Sequence, residues 1–273
     1  MNKFIKNIKI ITRSLKEAST LKKMDQQKHP LLDIVTKSFR ASKTDQYNNA
    51  EDRGAFNRCE DYRNELLKDE TLITYEIFDS NHIATVRDIS SNASVTPQWG
   101  QFLYYLARFT DQPVVLEIGT NLGVSGSYIL EGMGGGDSYF TTMEGLPQLC
   151  EISSRQFETI VSQNKFEVIQ GLYDDTFPRV INQAKPYNLL FIDGNHQKDP
   201  TLEYFYSLKK VSADKAIFVF DDIHWSTGMK EAWNIIKSDA DVNYTLDLYR
   251  QGIVIVDRNL SSDSKNFYLH LAH

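Results

Sequence analysis

The sequence predicts a doubly wound α/β fold with a helical N-terminal extension, on three observations. After Thr110, short apolar runs alternate with helical patterning, as in a parallel sheet covered on both faces. The first run, Val114-Val115-Leu116-Glu117-Ile118, breaks into a loop with Gly119, Gly123 and Gly126. Near the C-terminus, Tyr244 to Leu248 and Ile253 to Asp257 lie too close for a parallel crossover, so they predict an antiparallel hairpin around Gly252.

Taken in order, residues 1–24 carry Lys3, Lys6, Lys9, Arg13, Lys16, Lys22 and Lys23 against only Glu17. Phe4, Ile5, Ile8, Ile11 and Leu15 recur among them at near-helical spacing. A basic amphipathic helix is expected to pack its apolar stripe on its own domain or on a second copy in a homodimer; contact with an anionic membrane surface is the weaker alternative. Leu31 to Val35 with Phe39 predicts a second helix, and Asp52 to Leu67 a third, highly charged one. Thr71 to Phe78 suits strand or helix equally. Thr96-Pro97 reads as a helix start, followed by a buried stripe of Phe102, Leu103, Leu106 and Phe109. Beyond it, strands are expected near 113–118, 138–143, 166–170, 187–192 and 215–220. Helices are expected near 123–132, 148–163, 176–184, 199–211 and 227–238. The division that follows is a helical extension or lid over 1–93 and a main domain over 94–273.

Composition narrows the function classes. The 273 residues are 41% hydrophobic, enough for a substantial core, and the net charge of −6 argues against nucleic acid as a partner. Cys59 and Cys150 form neither a zinc pattern nor a disulfide framework, which points to a reducing, cytoplasmic setting. No apolar run approaches the roughly 20 residues of a membrane span.

Strand, glycine loop and helix make a nucleotide-binding corner, in which glycines let the backbone approach a ligand. The spacing here is Glu117-x-Gly119-x-x-x-Gly123, and the next strand ends in Glu144, where an acid would meet ribose hydroxyls. Together they resemble motif one and the following acidic position of class I S-adenosylmethionine-dependent methyltransferases. Gly100-Gln101-Phe102-Leu103 resembles the helix before that motif in the catechol and caffeoyl-coenzyme-A O-methyltransferases. The resemblance covers about residues 94–257 and implies a Rossmann-like seven-stranded sheet, five parallel strands plus the hairpin. It places Glu117, Gly119, Thr120, Asn121 and Gly123 around the methionine portion of S-adenosylmethionine, with Ser125 on its carboxylate. It places Glu144 on the ribose and Gly171, Leu172 and Tyr173 beside the adenine, with Asp193 also at the cofactor.

Two strand ends carry the remaining chemistry, Phe191-Ile192-Asp193-Gly194-Asn195-His196 and Phe218-Val219-Phe220-Asp221-Asp222-Ile223-His224-Trp225. Converging carboxylates repel one another unless protonated or bound to a cation, and oxygen ligands of this kind suit magnesium. In the metal-dependent catechol-type enzymes, an Asp ends the fourth strand and an Asp-Asn pair ends the fifth. Asp193, Asp221 and Asp222 match these ligand positions, with Asp222 in place of Asn. His196 stands where that group has a lysine base. The resemblance thus implies methyl transfer to a small-molecule hydroxyl, with a divalent ion activating the acceptor and His196 taking its proton. His224 is a further catalytic candidate or a partner for an Asp. Trp225 and Met229 either line the acceptor pocket or pack a helix. Three alternatives stay open: metal-independent transfer with His196 as base, a catalytically silent nucleotide-binding scaffold, and an oxidoreductase using Tyr206 and Lys210.

Overall fold

The computed structural model describes residues 3–44, 49–260 and 264–272. The chain divides into two compact units, Met1–Phe39 with Pro186–His273, and Arg40–Lys185. Helix α1 (Lys3–Asp25) is tied to its own unit through Arg13, whose Nη1 donates to the Asp247 carboxylate at 2.8 Å. Ile10 and Met24 are buried, whereas Ile8, Ile11 and Leu15 are exposed, Leu15 by 83%. The part of the apolar stripe that can be followed therefore faces solvent, because the ionic anchor at Asp247 sets which face of α1 turns inward. The side chains of Phe4 and Ile5 lie outside the described residues.

Helix α2 (Pro30–Lys43) begins on proline, with Asp33 in its first turn and Arg40 and Lys43 in its last, each suited to the helix dipole. Helix α3 (Ala50–Leu66) is capped by Asn49, whose side chain accepts from the Asp52 N–H at 2.8 Å. Its charged sequence hides a buried side: Phe56, Cys59 and Tyr62 are enclosed, and buried Asp52 accepts from the Tyr104 hydroxyl at 2.7 Å. The undecided stretch resolves into both structures. Strand β1 (Leu72–Thr74) pairs antiparallel with β2 (Ile83–Thr85), and a 3-10 turn over Glu76–Phe78 lies between them. Helix α4 (Val86–Ala93) then leads to α5 (Pro97–Phe109), which starts as expected behind Thr96 and buries Trp99, Phe102, Leu103 and Leu106.

The alternation that follows is the one expected: β3 (Val114–Ile118), α6 (Val124–Gly132), β4 (Tyr139–Glu144), α7 (Pro147–Ile160), β5 (Phe166–Gln170) and α8 (Tyr173–Gln183). These three strands lie in the order β3-β4-β5, all parallel. In the other unit come β6 (Leu189–Ile192), α9 (Lys198–Val211), β7 (Lys215–Phe220), α10 (Thr227–Lys237), β8 (Tyr244–Asp247), β9 (Gly252–Asp257) and β10 (Lys265–Tyr268). Strands β6 and β7 are parallel, and β9 runs antiparallel to both β7 and β8.

The hairpin strand β9 is buried along its whole length, which is why it sits between two partners. Strand β10, parallel to β8, makes an eighth strand in the mainly parallel sheet set where seven were expected. Only Phe267 is buried in it, too little apolar signal to mark a strand in advance. The core is aromatic around β7: Phe218 is fully buried against Phe205, a side chain worth about 2 kcal/mol on burial. Tyr206 and Lys210 both fall on helix α9.

Candidate active site

Within Arg40–Lys185, the carboxyl ends of β3, β4 and β5 bring the expected cofactor residues together. Gly119 (φ 104) and Gly123 (φ 75) take left-handed backbone conformations at the two ends of the loop. A Cβ on Gly123 would also stand 2.8 Å from that of Ser153, so helix α7 packs directly beneath the turn. The Gly119 and Thr120 N–H groups donate to Met143 O at 3.2 and 3.1 Å, tying the loop to β4. Glu144 then closes the corner. Its Oε2 accepts from the Asn121 N–H at 2.8 Å and its Oε1 from the Leu146 N–H at 2.9 Å. Each carboxylate oxygen has a second acceptor direction, so two hydroxyls of a ribose can still be received. The Gly171 N–H donates to Glu144 O at 2.9 Å, which brings Gly171, Leu172 and Tyr173 at the start of α8 to the same edge.

Glu117, Ser125, Thr120 and Thr142 form one buried chain. Ser125 Oγ donates to Glu117 Oε1 at 2.5 Å, and Thr142 Oγ1 donates to Oε2 at 2.7 Å. Thr120 Oγ1 lies 2.6 Å from Thr142 Oγ1. The Ser125 proton is thus spent on Glu117, and the first N–H groups of α6 are the donors left at this helix start. Burial pushes the Glu117 carboxyl up to about 7, although both hydroxyl bonds pull it down.

A raised carboxyl pKa means that the folded chain keeps a proton which the unfolded chain has lost. Stability therefore falls as pH rises from about 4.5 to about 7, by up to about 3 kcal/mol. Glu117→Gln should remove that slope and gain stability over the wild type above pH 7. Denaturant melts of both proteins across this window check it, and parallel profiles would show that Glu117 is ionised in the fold.

In the other unit, β6 and β7 end in the acidic rim. The Asp221 N–H donates to Ile192 O at 3.0 Å, holding the two strand ends together. His196 Nε2 lies 3.5 Å from Asp193 Oδ1, and both side chains are partly open to solvent. Asn195 (φ 57) and Asp222 (φ 52) take left-handed conformations in the two turns. Asp221 is 2% exposed, and Arg250 Nη2 donates to its Oδ2 at 3.2 Å. Arg250 Nε is 3.7 Å from Asp222 Oδ1. Burial works against the Arg250 guanidinium, but Asp221, Asp222 and Asp193 hold it above its ordinary value. Burial and Asp221 push the Asp222 carboxyl up, while Arg250 and His196 draw it back.

These neighbours decide the fit of a divalent ion. Arg250 brings one positive charge to this rim, its guanidinium engaged by Asp221 and close to Asp222. Among the described residues, no group of three or more His, Cys, Asp and Glu is arranged to hold a metal. The donor set does not fit magnesium as it stands. His224 turns away from the rim aspartates, and its Nε2 meets Asp247 Oδ2 at 2.9 Å, on the carboxylate that Arg13 also holds. Met229 is buried and receives a hydrogen bond from Thr201 on its sulfur at 3.4 Å, so it packs helix α10, while Trp225 is 76% exposed.

Sequence reasoning missed Arg250, Thr142, Tyr62 and Tyr75. Arg250 lies in the hairpin turn and reaches the rim because the Ile223 N–H donates to Arg250 O at 3.1 Å. A lone Arg in a turn carries no local signal of such a partner. Tyr62 donates to Leu122 O at 2.6 Å and steadies the glycine loop from α3. Tyr75 stands near enough to Glu144 for the carboxylate, after burial, to push its hydroxyl pKa up.

Residues 116–223 match the model of a family described as a methyltransferase domain, in agreement with the methyltransferase resemblance over that stretch. Among individual proteins, a Mycobacterium sp. (strain JLS) protein named "Putative O-methyltransferase" is 35% identical over 114 residues, 41% of this chain and 50% of the relative. A counterpart in Mycolicibacterium smegmatis is 35% identical over 114 residues, 41% of this chain and 52% of its own. The chain spans about half the length of these curated relatives. Among solved structures, the O-methyltransferase of Bacillus cereus in complex with S-adenosylhomocysteine has a TM-score of 0.55 at 21% identity, over 71% of this chain and 90% of that one. TomG of Streptomyces achromogenes, an O-methyltransferase in complex with S-adenosylmethionine, has a TM-score of 0.52 at 21% identity, over 60% and 81%. At these identities the likeness is one of fold.

Proposed function

We propose that the chain is an S-adenosylmethionine-dependent O-methyltransferase acting on a small-molecule hydroxyl, with His196 as base and Arg250 in place of a divalent ion. The observation that carries the reading is the convergence of the Gly119–Gly123 turn, Glu144 and Gly171 at three adjacent parallel strand ends. Residues 94–273 form the transferring domain in this reading, and 1–93 a helical extension or lid.

Bound there, S-adenosylmethionine would supply a sulfonium methyl to the acceptor oxygen, with S-adenosylhomocysteine and one proton as the other products. Glu144 orients the ribose, and the N–H groups at the start of α6 receive the methionine carboxylate. Gly171, Leu172 and Tyr173 flank the adenine, and Asp193 completes the cofactor contacts. Asp193 also steadies His196, which takes the acceptor proton, as imidazole does near neutral pH. Arg250 keeps Asp221 and Asp222 from repelling the developing negative oxygen. His224 acts through Asp247.

The buried Cys59 and Cys150, free thiols pushed up by burial, Cys150 to about 12, suit a cytoplasmic protein. No described helix is long and apolar enough to cross a membrane. The exposed Ile8, Ile11 and Leu15 support a homodimer contact through α1.

The test is transfer of labelled methyl to a panel of small hydroxyl compounds in the presence of a chelator. Activity is expected to persist, and His196→Ala should lower kcat by about 10²–10³-fold while leaving S-adenosylhomocysteine affinity within about twofold. Loss of turnover on chelation, restored by magnesium, would return the ion to the rim. Tight S-adenosylhomocysteine binding with no transfer to any hydroxyl would leave a silent scaffold.

A further inference from the structure

A second cavity lies wholly within the unit formed by Met1–Phe39 and Pro186–His273, with a volume of about 800 Å³. Its walls are one face of α1, one face of α10 and the edge strand β10. From α1 come Lys9, Arg13, Lys16 and Lys23, and from α10 come Lys230 and Lys237. The intervals on each helix, three, four or seven residues, put these cations on a single stripe. Six cations around one space is unexpected in a chain whose net charge is −6.

The carboxylate in the wall does not neutralise them. Asp247 accepts from Arg13 at 2.8 Å, from His224 at 2.9 Å and from the Tyr249 N–H at 2.9 Å. Burial alone would raise its pKa, but His224 and Arg13 hold it well below the usual carboxylate range. One carboxylate held by Arg13 and His224 is too little charge to balance six cations. Among the described residues, no carboxylate pairs with Lys9, Lys16, Lys23, Lys230 or Lys237. Such crowding of like charge costs stability unless an anion fills the space. Burial lowers the Lys237 pKa, Asp247 draws it back up, and Arg13 lowers it further.

We infer that this cavity is a binding site for a soluble, phosphate-bearing small molecule. Lysine ammonium groups, mobile point charges with three donors each, suit a ligand whose negative oxygens are spread over more than one phosphate. Thr12, Thr20 and Asn234 add neutral hydrogen-bonding groups on the same walls. The volume suits a molecule of nucleotide size. An extended polyanion is disfavoured by the acidic charge of the rest of the chain. Binding here does not depend on methyl transfer.

The test is calorimetric titration of the full chain with inorganic pyrophosphate at low salt. Saturable one-site binding is expected, weakened at least tenfold in the double variant Lys16→Gln, Lys230→Gln. A control pair outside the cavity, Lys22→Gln with Lys37→Gln, should bind as the wild type does. All three proteins should melt at closely similar temperatures, since neither Lys16 nor Lys230 pairs with a carboxylate among the described residues. No saturable binding, or equal losses in both pairs, would overturn the site. Vesicles containing phosphatidylglycerol form the second arm. Binding of those vesicles through Lys16 and Lys230, without pyrophosphate binding, would assign the charge to a lipid surface and overturn the soluble ligand.

Discussion

Glu144→Ala is expected to weaken S-adenosylhomocysteine binding by at least about a hundredfold, the cost of two hydrogen bonds to a charged acceptor. The reason lies in how the carboxylate is held. Backbone N–H groups of Asn121 and Leu146 each hold one oxygen, with Gly145 a further backbone donor, and this fixes how the carboxylate is turned toward adjacent hydroxyls. Burial pushes the Glu144 carboxyl up, while these N–H bonds pull it back toward the charged form. Glu144→Gln keeps one carbonyl acceptor and should lose about tenfold. Calorimetry on both variants, with thermal melting alongside, separates a lost ribose contact from a collapsed loop. A folded Glu144→Ala protein with wild-type affinity would remove this corner as the cofactor site.

Arg250→Ala should destabilise the fold by about 3 kcal/mol at pH 7, because it strands Asp221, only 2% exposed, without a counter-charge. The penalty belongs to the ionised carboxylate. Arg250→Lys should recover part of the loss, since one ammonium cannot match two guanidinium donors at Asp221 Oδ1 and Oδ2. Urea melts of the three proteins at pH 7 give the comparison. Equal stability of wild type and Arg250→Ala at pH 7 would falsify the counter-charge role. Recovery of Arg250→Ala by magnesium alone would show that the rim can accept an ion once the guanidinium is gone.

Glu144 and Arg250 differ in how legible they are. Glu144 was marked by its place after an apolar run, and the structure puts it at the end of β4. Arg250 carried no mark, because its partner Asp221 is 29 residues away and the meeting depends on β9 lying beside β7. The same holds for Arg13, which finds Asp247 across 234 residues. Ser125 is legible as a residue at a helix start, but its hydrogen bond to Glu117, eight residues back along the chain, is not.

By itself, then, the sequence determined the alternation of strands and helices from Thr110 onwards, the glycine turn at 119–123, the helix start at Thr96-Pro97 and the terminal hairpin. Those features follow from side-chain period, proline and glycine sterics and connection length, all of which act over a few neighbouring residues. Only the tertiary structure decided which face of α1 turns inward, that β10 joins β8, that Arg250 rather than an open metal position meets the aspartates, and that lysines of α1 and α10 share one cavity. Charged side chains are satisfied by whatever opposite group the fold brings within reach, and desolvation sets the strength of each pairing. Local pattern does not specify that encounter; the packed chain does.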